Sequence, residues 1–441
     1  MKRLIVYLSA VAVSAAIAAE AAAAAPDGAE RADALRFEDY FHDRTLRFDF
    51  YHSGDRHTEQ YFFDEVKSEP FWAGSKVSLL DTTGFGTQFF RIVDTADERE
   101  IYSRGYCTLF NEWRDSDEAL SIEAAYPESV VFPCPKRECR IEIFGRNGKG
   151  EFEKRFSQII DPEAYTVRPF VRRYDVFDVV VGGAPEHSLD IVLLSEGYTV
   201  EERPKFEAAA RIFAEEFLSY SPFKENAYRI NIRAVWVPSE DSGVSLPGEH
   251  IWCDTAFGAS FYTFGEERYQ TIVDFQRVRD AAAHTPYDYI YVLSNTQKYG
   301  GGGIFNFYGI SSAHHPTRTG KIYVHEFGHV LMGLGDEYAD PVSFDSMYAH
   351  DVEPWEVNLT TLVDFDSKRI WRGLLSEGVS VPTPAADEYE DKVGVYEGGG
   401  YQTKGVYRPW LNCLMNNLHR TDSFCPVCSE AISRYIDFIC K

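Results

Sequence analysis

The chain has 441 residues, 44% of them hydrophobic and 15% aromatic, which suits two or three packed domains and excludes a disordered chain. A net charge of −25 works against nucleic acid or anionic lipid as a partner, because the long-range field repels both. An acidic, solubilising surface accounts for that charge without any partner.

The N-terminus, MKRLIVYLSAVAVSAAIAAEAAAAAPDG, starts with Lys2 and Arg3, continues as an apolar run from Leu4 and ends in small residues before Pro26. That order predicts a cleaved signal peptide over residues 1–25, then a flexible leader over 26–36, and so a secreted, periplasmic or cell-surface protein. No cysteine lies there to carry a lipid, and no other apolar run is long enough to span a membrane. The eight cysteines (107, 134, 139, 253, 413, 425, 428 and 440) then belong to an oxidising compartment. Cys134 and Cys139 are candidates to close a small loop. The CPVC pair, Cys425 and Cys428, reads as redox, zinc-binding or a structural disulfide, with the disulfide favoured and the pairing open.

Residues 37–170 alternate in short runs, TLRFDFYH, KVSLLD, QFFRIVD, ECRIEIFG and EFEKRF, separated by turn residues. This predicts an all-β sandwich, with no cluster of catalytic side chains. The texture changes near residue 170, and residues 171–441 form the second predicted domain. LDIVLLSEGYT (189–199) is a continuous apolar run, as a doubly buried strand requires. Phe206, Ala210, Phe213 and Phe217 recur at helical spacing over 202–219. RINIRAVWVP (229–238), a helix near 265–283 and DYIYVLSN (288–295) complete an α/β pattern with crossover helices. IFNFYGISSA (304–313), after a glycine run, is a candidate edge strand for pairing with an extended peptide.

The stretch YVHEFGHVLMGLGDEYAD (323–340) carries the chemistry. His325 and His329 are one helical turn apart and share a face, the separation two imidazoles need to bind one zinc ion. Glu326 beside them is placed to take a proton from a zinc-bound water, whose pKa falls to about 7. The segment is too apolar for a surface helix with two solvated histidines. A third ligand is still required. Gly333 and Gly335 let the chain leave the helix and turn back, and the first acid after that turn is Asp336, followed by Glu337. Asp336 is the first choice, Glu337 the alternative, and Glu353 or Glu356 further options.

HEFGHVLMGLGDEY resembles the zinc-binding segment of the IgA-peptidase family of secreted bacterial zinc metallopeptidases, part of the metzincin-like group. LLSEGYT (193–199), YEGGGYQTKGVYRPWLNCLMNN (396–417) and FCPVC (424–428) carry the same resemblance. It implies a metzincin-like α/β peptidase domain preceded by a β-sandwich, one catalytic zinc, and Met415 as the Met-turn residue beneath the metal. The broader metzincin pattern has glycine three and the ligand six residues after the second histidine. Here Met332 and Gly335 hold those places, with Gly333 and Asp336 one step later. Tyr401 and Tyr407 are candidates to donate to the oxyanion or to contact substrate. The resulting expectation is a secreted zinc endopeptidase acting on extracellular protein or glycoprotein. A glycoprotein- or glycan-binding surface protein built on the zinc fold, or a zinc hydrolase of non-peptide amides, is the alternative.

Overall fold

A computed structural model describes residues 35–317, 319–339 and 348–441. The expected signal peptide and most of the leader lie outside the described residues. The first half opens with α1 (Phe37–Tyr40) and builds eight strands: β1 (Phe41–Gly54), β2 (Glu59–Glu69), β3 (Gln88–Asp94), β4 (Arg99–Tyr106), β5 (Ala124–Pro135), β6 (Cys139–Arg146), β7 (Phe152–Ile160) and β8 (Arg168–Pro169), with α2 (Leu109–Arg114) after β4. They form two four-stranded sheets, β5-β1-β2-β8 and β4-β3-β6-β7. Leu46, Phe48 and Phe50 alternate along β1 toward a shared core with Phe90, Phe132, Ile141 and Ile143. Phe48 meets Phe156, and Phe90 meets Phe132, across the two sheets, which makes a sandwich. KVSLLD is not a strand: Leu79 is buried in the core, but the segment is an irregular connection. Turn geometry at Ser75, whose hydroxyl accepts from the Val77 and Ser78 amides, competes with ladder pairing there.

The second half centres on a six-stranded sheet of β9 (Asp175–Val180), β10 (Leu189–Glu196), β11 (Ile230–Trp236), β12 (Tyr289–Ser294), β13 (Gly301–Ile304) and β14 (Tyr308–Ser312). Its order is β13-β14-β12-β10-β11-β9. The four inner strands run parallel, and β9 and β13 close the two edges antiparallel. Every residue of β10 is buried, around the apolar run Ile191–Leu194 that suits a strand covered on both faces. Two helices cross over, α3 (Arg203–Phe217) between β10 and β11 and α4 (Phe275–Ala282) between β11 and β12, and α5 (Thr319–Met332) follows β14. The helix expected over 265–283 is confined to α4, because Asp274 caps its start with a side-chain bond to the Arg277 amide. α6 (Arg369–Leu374), the hairpin β15 (Tyr396–Gly399) and β16 (Gln402–Arg408), and α7 (Pro426–Ile439) complete the chain. Among the described residues no helix is long and apolar enough to cross a membrane.

The two halves pack closely. Arg47 and Asp49 point away from the sandwich core, yet both are buried, because α4 covers that face of the sheet. Arg47 grips Asp49 through two hydrogen bonds of 2.6 and 2.7 Å, and reaches Asp280 and the Gln276 carbonyl on α4 at 2.8 and 3.0 Å. The Cys107 amide donates to the Phe305 carbonyl at 2.9 Å, and Asn306 donates to the Gly105 carbonyl at 3.0 Å.

Candidate metal centre

Helix α5 is buried on most of its surface, between β13 and β14 on one side and α3 and α7 on the other. Its glycines explain how: a Cβ on Gly328 would stand 3.1 Å from Met415 Sδ. The facing strand is glycine-rich for the same reason. A Cβ on Gly303 would come within 2.3 Å of the Glu326 carbonyl oxygen, and one on Gly301 within 2.8 Å of Glu326 Oε1. Neither glycine has a positive φ, so close approach to the helix is what excludes a side chain.

This packing brings His325 and His329 to the floor of a cleft of about 750 Å³. Their Nε2 atoms are 3.3 Å apart, and Asp336 Oδ1 lies 3.3 Å from the first and 3.4 Å from the second. Three donors on a tetrahedral ion, with bonds of about 2.0–2.1 Å, stand about 3.3–3.4 Å apart. The triangle therefore fits a small divalent cation. Each imidazole is oriented from behind: His325 Nδ1 bonds the Leu414 carbonyl at 2.9 Å and His329 Nδ1 the Leu334 carbonyl at 2.5 Å. Asp336 Oδ1 is buried and has only those two imidazole nitrogens facing it, with no other partner among the described residues.

The electrostatics ask for positive charge at the centre of this triangle. Burial works against charge on His329, but Asp336 outweighs it and pushes the imidazole up to about 9. Burial likewise opposes the Asp336 carboxylate, yet the two imidazoles hold it well below the usual carboxylate range. Burial pushes Glu326 upward. Protons on the histidines or a dication satisfy the same field.

Of the two adjacent acids, Asp336 joins the histidines and Glu337 does not. Gly333, at φ 61°, ends α5 with Trp355 packed over it. Asn358 then straps the extended segment by bonding the Gly335 amide and carbonyl, both at 2.8 Å, and Glu337 Oε1 at 2.9 Å. The Glu337 amide donates to the Met415 carbonyl at 2.8 Å. Successive side chains of an extended segment point in opposite directions, so Asp336 faces the metal site and Glu337 a buried group of cysteines. Glu353 and Glu356 line the cleft but are engaged by Thr361 and Tyr348 respectively. Met415 is fully buried in the turn beneath α5.

The two tyrosine candidates separate. The Tyr401 hydroxyl is committed to Asp336 Oδ2, so it orients the carboxylate and has no hydrogen left for an oxyanion. Tyr407 is outside the cleft, because its backbone pairs with Thr360 in a short ladder. The expected edge strand also moves. Residues 308–312 are interior, and the edge is β13, Gly301–Ile304. The Gly301 amide and carbonyl bond the segment 268–270, and the Phe305 carbonyl bonds Cys107. By the alternation of an antiparallel pair, Gly303 between them turns its N–H and C=O outward along the cleft it lines.

Several cleft residues carry no local sequence signal. Tyr338 stacks on Tyr401, with centroids 6.2 Å apart, and comes 6.0 Å from the His325 ring. Glu112, from α2 in the sandwich half, accepts a hydrogen bond from Tyr269 across the cleft. Burial pushes its carboxyl up to about 7, against the pull of Tyr269 and His329. None of the eight cysteines forms a disulfide. The CPVC pair is not bridged; Cys425 caps α7, its sulfur accepting from the Cys428 amide at 3.4 Å.

The sequence profile of the family described as IgA Peptidase M64 matches residues 177–391 and 385–436, and that described as Peptidase M64 N-terminus matches residues 36–157. Among curated proteins none matches the chain.

Proposed function

The chain belongs to the IgA peptidase M64 family, a family of metallopeptidases, and on that premise we propose that it is a secreted zinc endopeptidase of metzincin-like architecture. The observation that carries this reading is the triangle of His325, His329 and Asp336 at the cleft floor, with Glu326 between it and strand β13. Two imidazoles and one carboxylate are a donor set suited to zinc. An ion held there supplies a Lewis acid for the scissile carbonyl and acidifies water.

The remaining work falls to the protein's own groups. Glu326 accepts the proton of the attacking water at its carboxylate and delivers it to the departing amine. Gly303 binds the substrate backbone as an added strand, which favours a polypeptide and demands little of its sequence. Tyr401 holds Asp336 in place. The reading of the substrate as extracellular protein or glycoprotein rests on the signal-like N-terminus.

The test compares wild-type protein with Glu326→Ala on a mixture of secreted glycoproteins that includes immunoglobulin A, with new N-termini mapped by mass spectrometry. New termini are expected from wild type alone, with equal metal content in both proteins. Cleavage by the metal-loaded variant at the wild-type rate would remove Glu326 from the mechanism. No cleavage by either would remove the peptidase reading for these substrates.

A further inference from the structure

Behind the cleft, on the far side of the 336–337 segment, Glu337 meets Cys413, Cys425 and Cys428. Their ligand atoms all lie within 4.8 Å of one another and all four residues are buried. Cys413 Sγ and Cys428 Sγ are 3.9 Å apart, and Cys428 Sγ is 3.4 Å from Glu337 Oε1. On a tetrahedral zinc ion with Zn–S of about 2.3 Å and Zn–O of about 2.0 Å, those separations would be about 3.8 and 3.5 Å. A disulfide requires about 2.05 Å between sulfurs.

The surroundings of Glu337 argue in the same direction. It is fully buried, and its Oε2 has no hydrogen-bond partner among the described residues. A buried carboxylate with one oxygen unmet is costly. A disulfide among the three cysteines would leave that oxygen as it is and strand the third thiol beside it. A dication meets all four groups at once. The excess negative charge is offset by N–H groups: Asn358 donates to Glu337 Oε1, the Cys425 amide to Cys413 Sγ at 3.2 Å and the Cys428 amide to Cys425 Sγ. The positive end of α7 is at the same place, with Cys425 as its cap. Burial of all three sulfurs also closes the CPVC pair to a redox partner.

We propose that Glu337, Cys413, Cys425 and Cys428 form a second, structural zinc site that ties three separate parts of the chain together behind the cleft. Glu337 follows Asp336 directly, Cys413 precedes the Leu414–Met415 turn, and the other two begin α7. The second ion locks the segment that presents Asp336 against the turn that orients His325. Its binding displaces to solvent whatever protons the thiols and the Glu337 carboxyl carry.

The full chain, loaded with zinc and freed of excess, is measured by elemental analysis, native mass spectrometry and X-ray absorption. Two ions per wild-type chain are expected. A His325→Ala/His329→Ala variant is expected to keep one, with a sulfur-dominated shell. A Cys425→Ser/Cys428→Ser variant is expected to lose the sulfur-bound ion and to bind the other more weakly. The histidine variant reads the second site directly, so the proposal stays open to test if the cysteine variant does not fold. One ion per wild-type chain with no sulfur neighbours, or a disulfide among these three cysteines by peptide mapping, overturns it. Either result leaves the peptidase reading intact, because that reading is judged by cleavage and by Glu326.

Discussion

Asp336 divides its two oxygens between two tasks. Oδ1 faces both imidazoles, and Oδ2 accepts the hydroxyl of Tyr401, which the backbone fixes by a bond from the Tyr401 amide to the Tyr338 carbonyl at 2.8 Å. A partner of this kind raises the affinity of a metal by about 10–100-fold. Tyr401→Phe is therefore expected to weaken metal binding within that range, read by competition with a chromophoric chelator, and to restore most of kcat at saturating metal. A drop in kcat with unchanged metal affinity would return Tyr401 to the oxyanion role that the sequence suggested.

Strand β13 is held at two places and open at one. Gly301 pairs with 268–270, Phe305 with Cys107, and Gly303 faces the cleft between them while pressed on α5. Gly303→Val must push the strand off the helix, because its Cβ would overlap the Glu326 carbonyl. The expected cost in stability is about 1–3 kcal/mol, the range for overpacking, with a larger proportional loss in kcat/KM for peptides than in metal content. Gly373→Ala in α6, where a Cβ meets nothing within 4 Å, serves as the neutral control. If Gly303→Val retains wild-type kcat/KM, β13 does not receive the substrate.

The cleft belongs to both halves of the molecule. Its floor is α5, but Glu112, Arg114 and Arg146 from the sandwich half line its wall. The sandwich is therefore part of the site rather than an appendage, and the interface that seats it is worth testing. Arg47 is the centre of that interface, 1% exposed and bound to Asp49, which is fully buried. Arg47→Ala leaves the buried Asp49 with Lys67 as its one remaining cationic partner among the described residues, Nζ 3.5 Å from Oδ2, a change that costs up to about 3–5 kcal/mol. Urea denaturation should register that loss, and limited proteolysis should cut between the halves sooner than in wild type. A loss below about 1 kcal/mol would mean that the other contacts between the halves, not Arg47, seat the sandwich.

Local order in the chain was sufficient for part of this. His325 and His329 share a face because a helix repeats every 3.6 residues, and β10 was readable because the apolar run Ile191–Leu194 suits a doubly buried strand. Alternation along TLRFDFYH was enough to place Phe48 and Phe50 in a core. Alternation alone does not account for the burial of Arg47 and Asp49, since a helix more than 200 residues away covers them. Spacing put Asp336 ahead of Glu337 as the third ligand but carried no physical reason that excludes Glu337. Adjacent residues in an extended segment face opposite ways, and which one meets the histidines depends on Asn358, Met415 and Tyr401, all distant in sequence. The same holds for the cysteines: their spacing allowed a bridge, a redox pair or a metal site. Only the fold brings Glu337 to three sulfurs, because proximity between segments is fixed by packing and not by the order of residues.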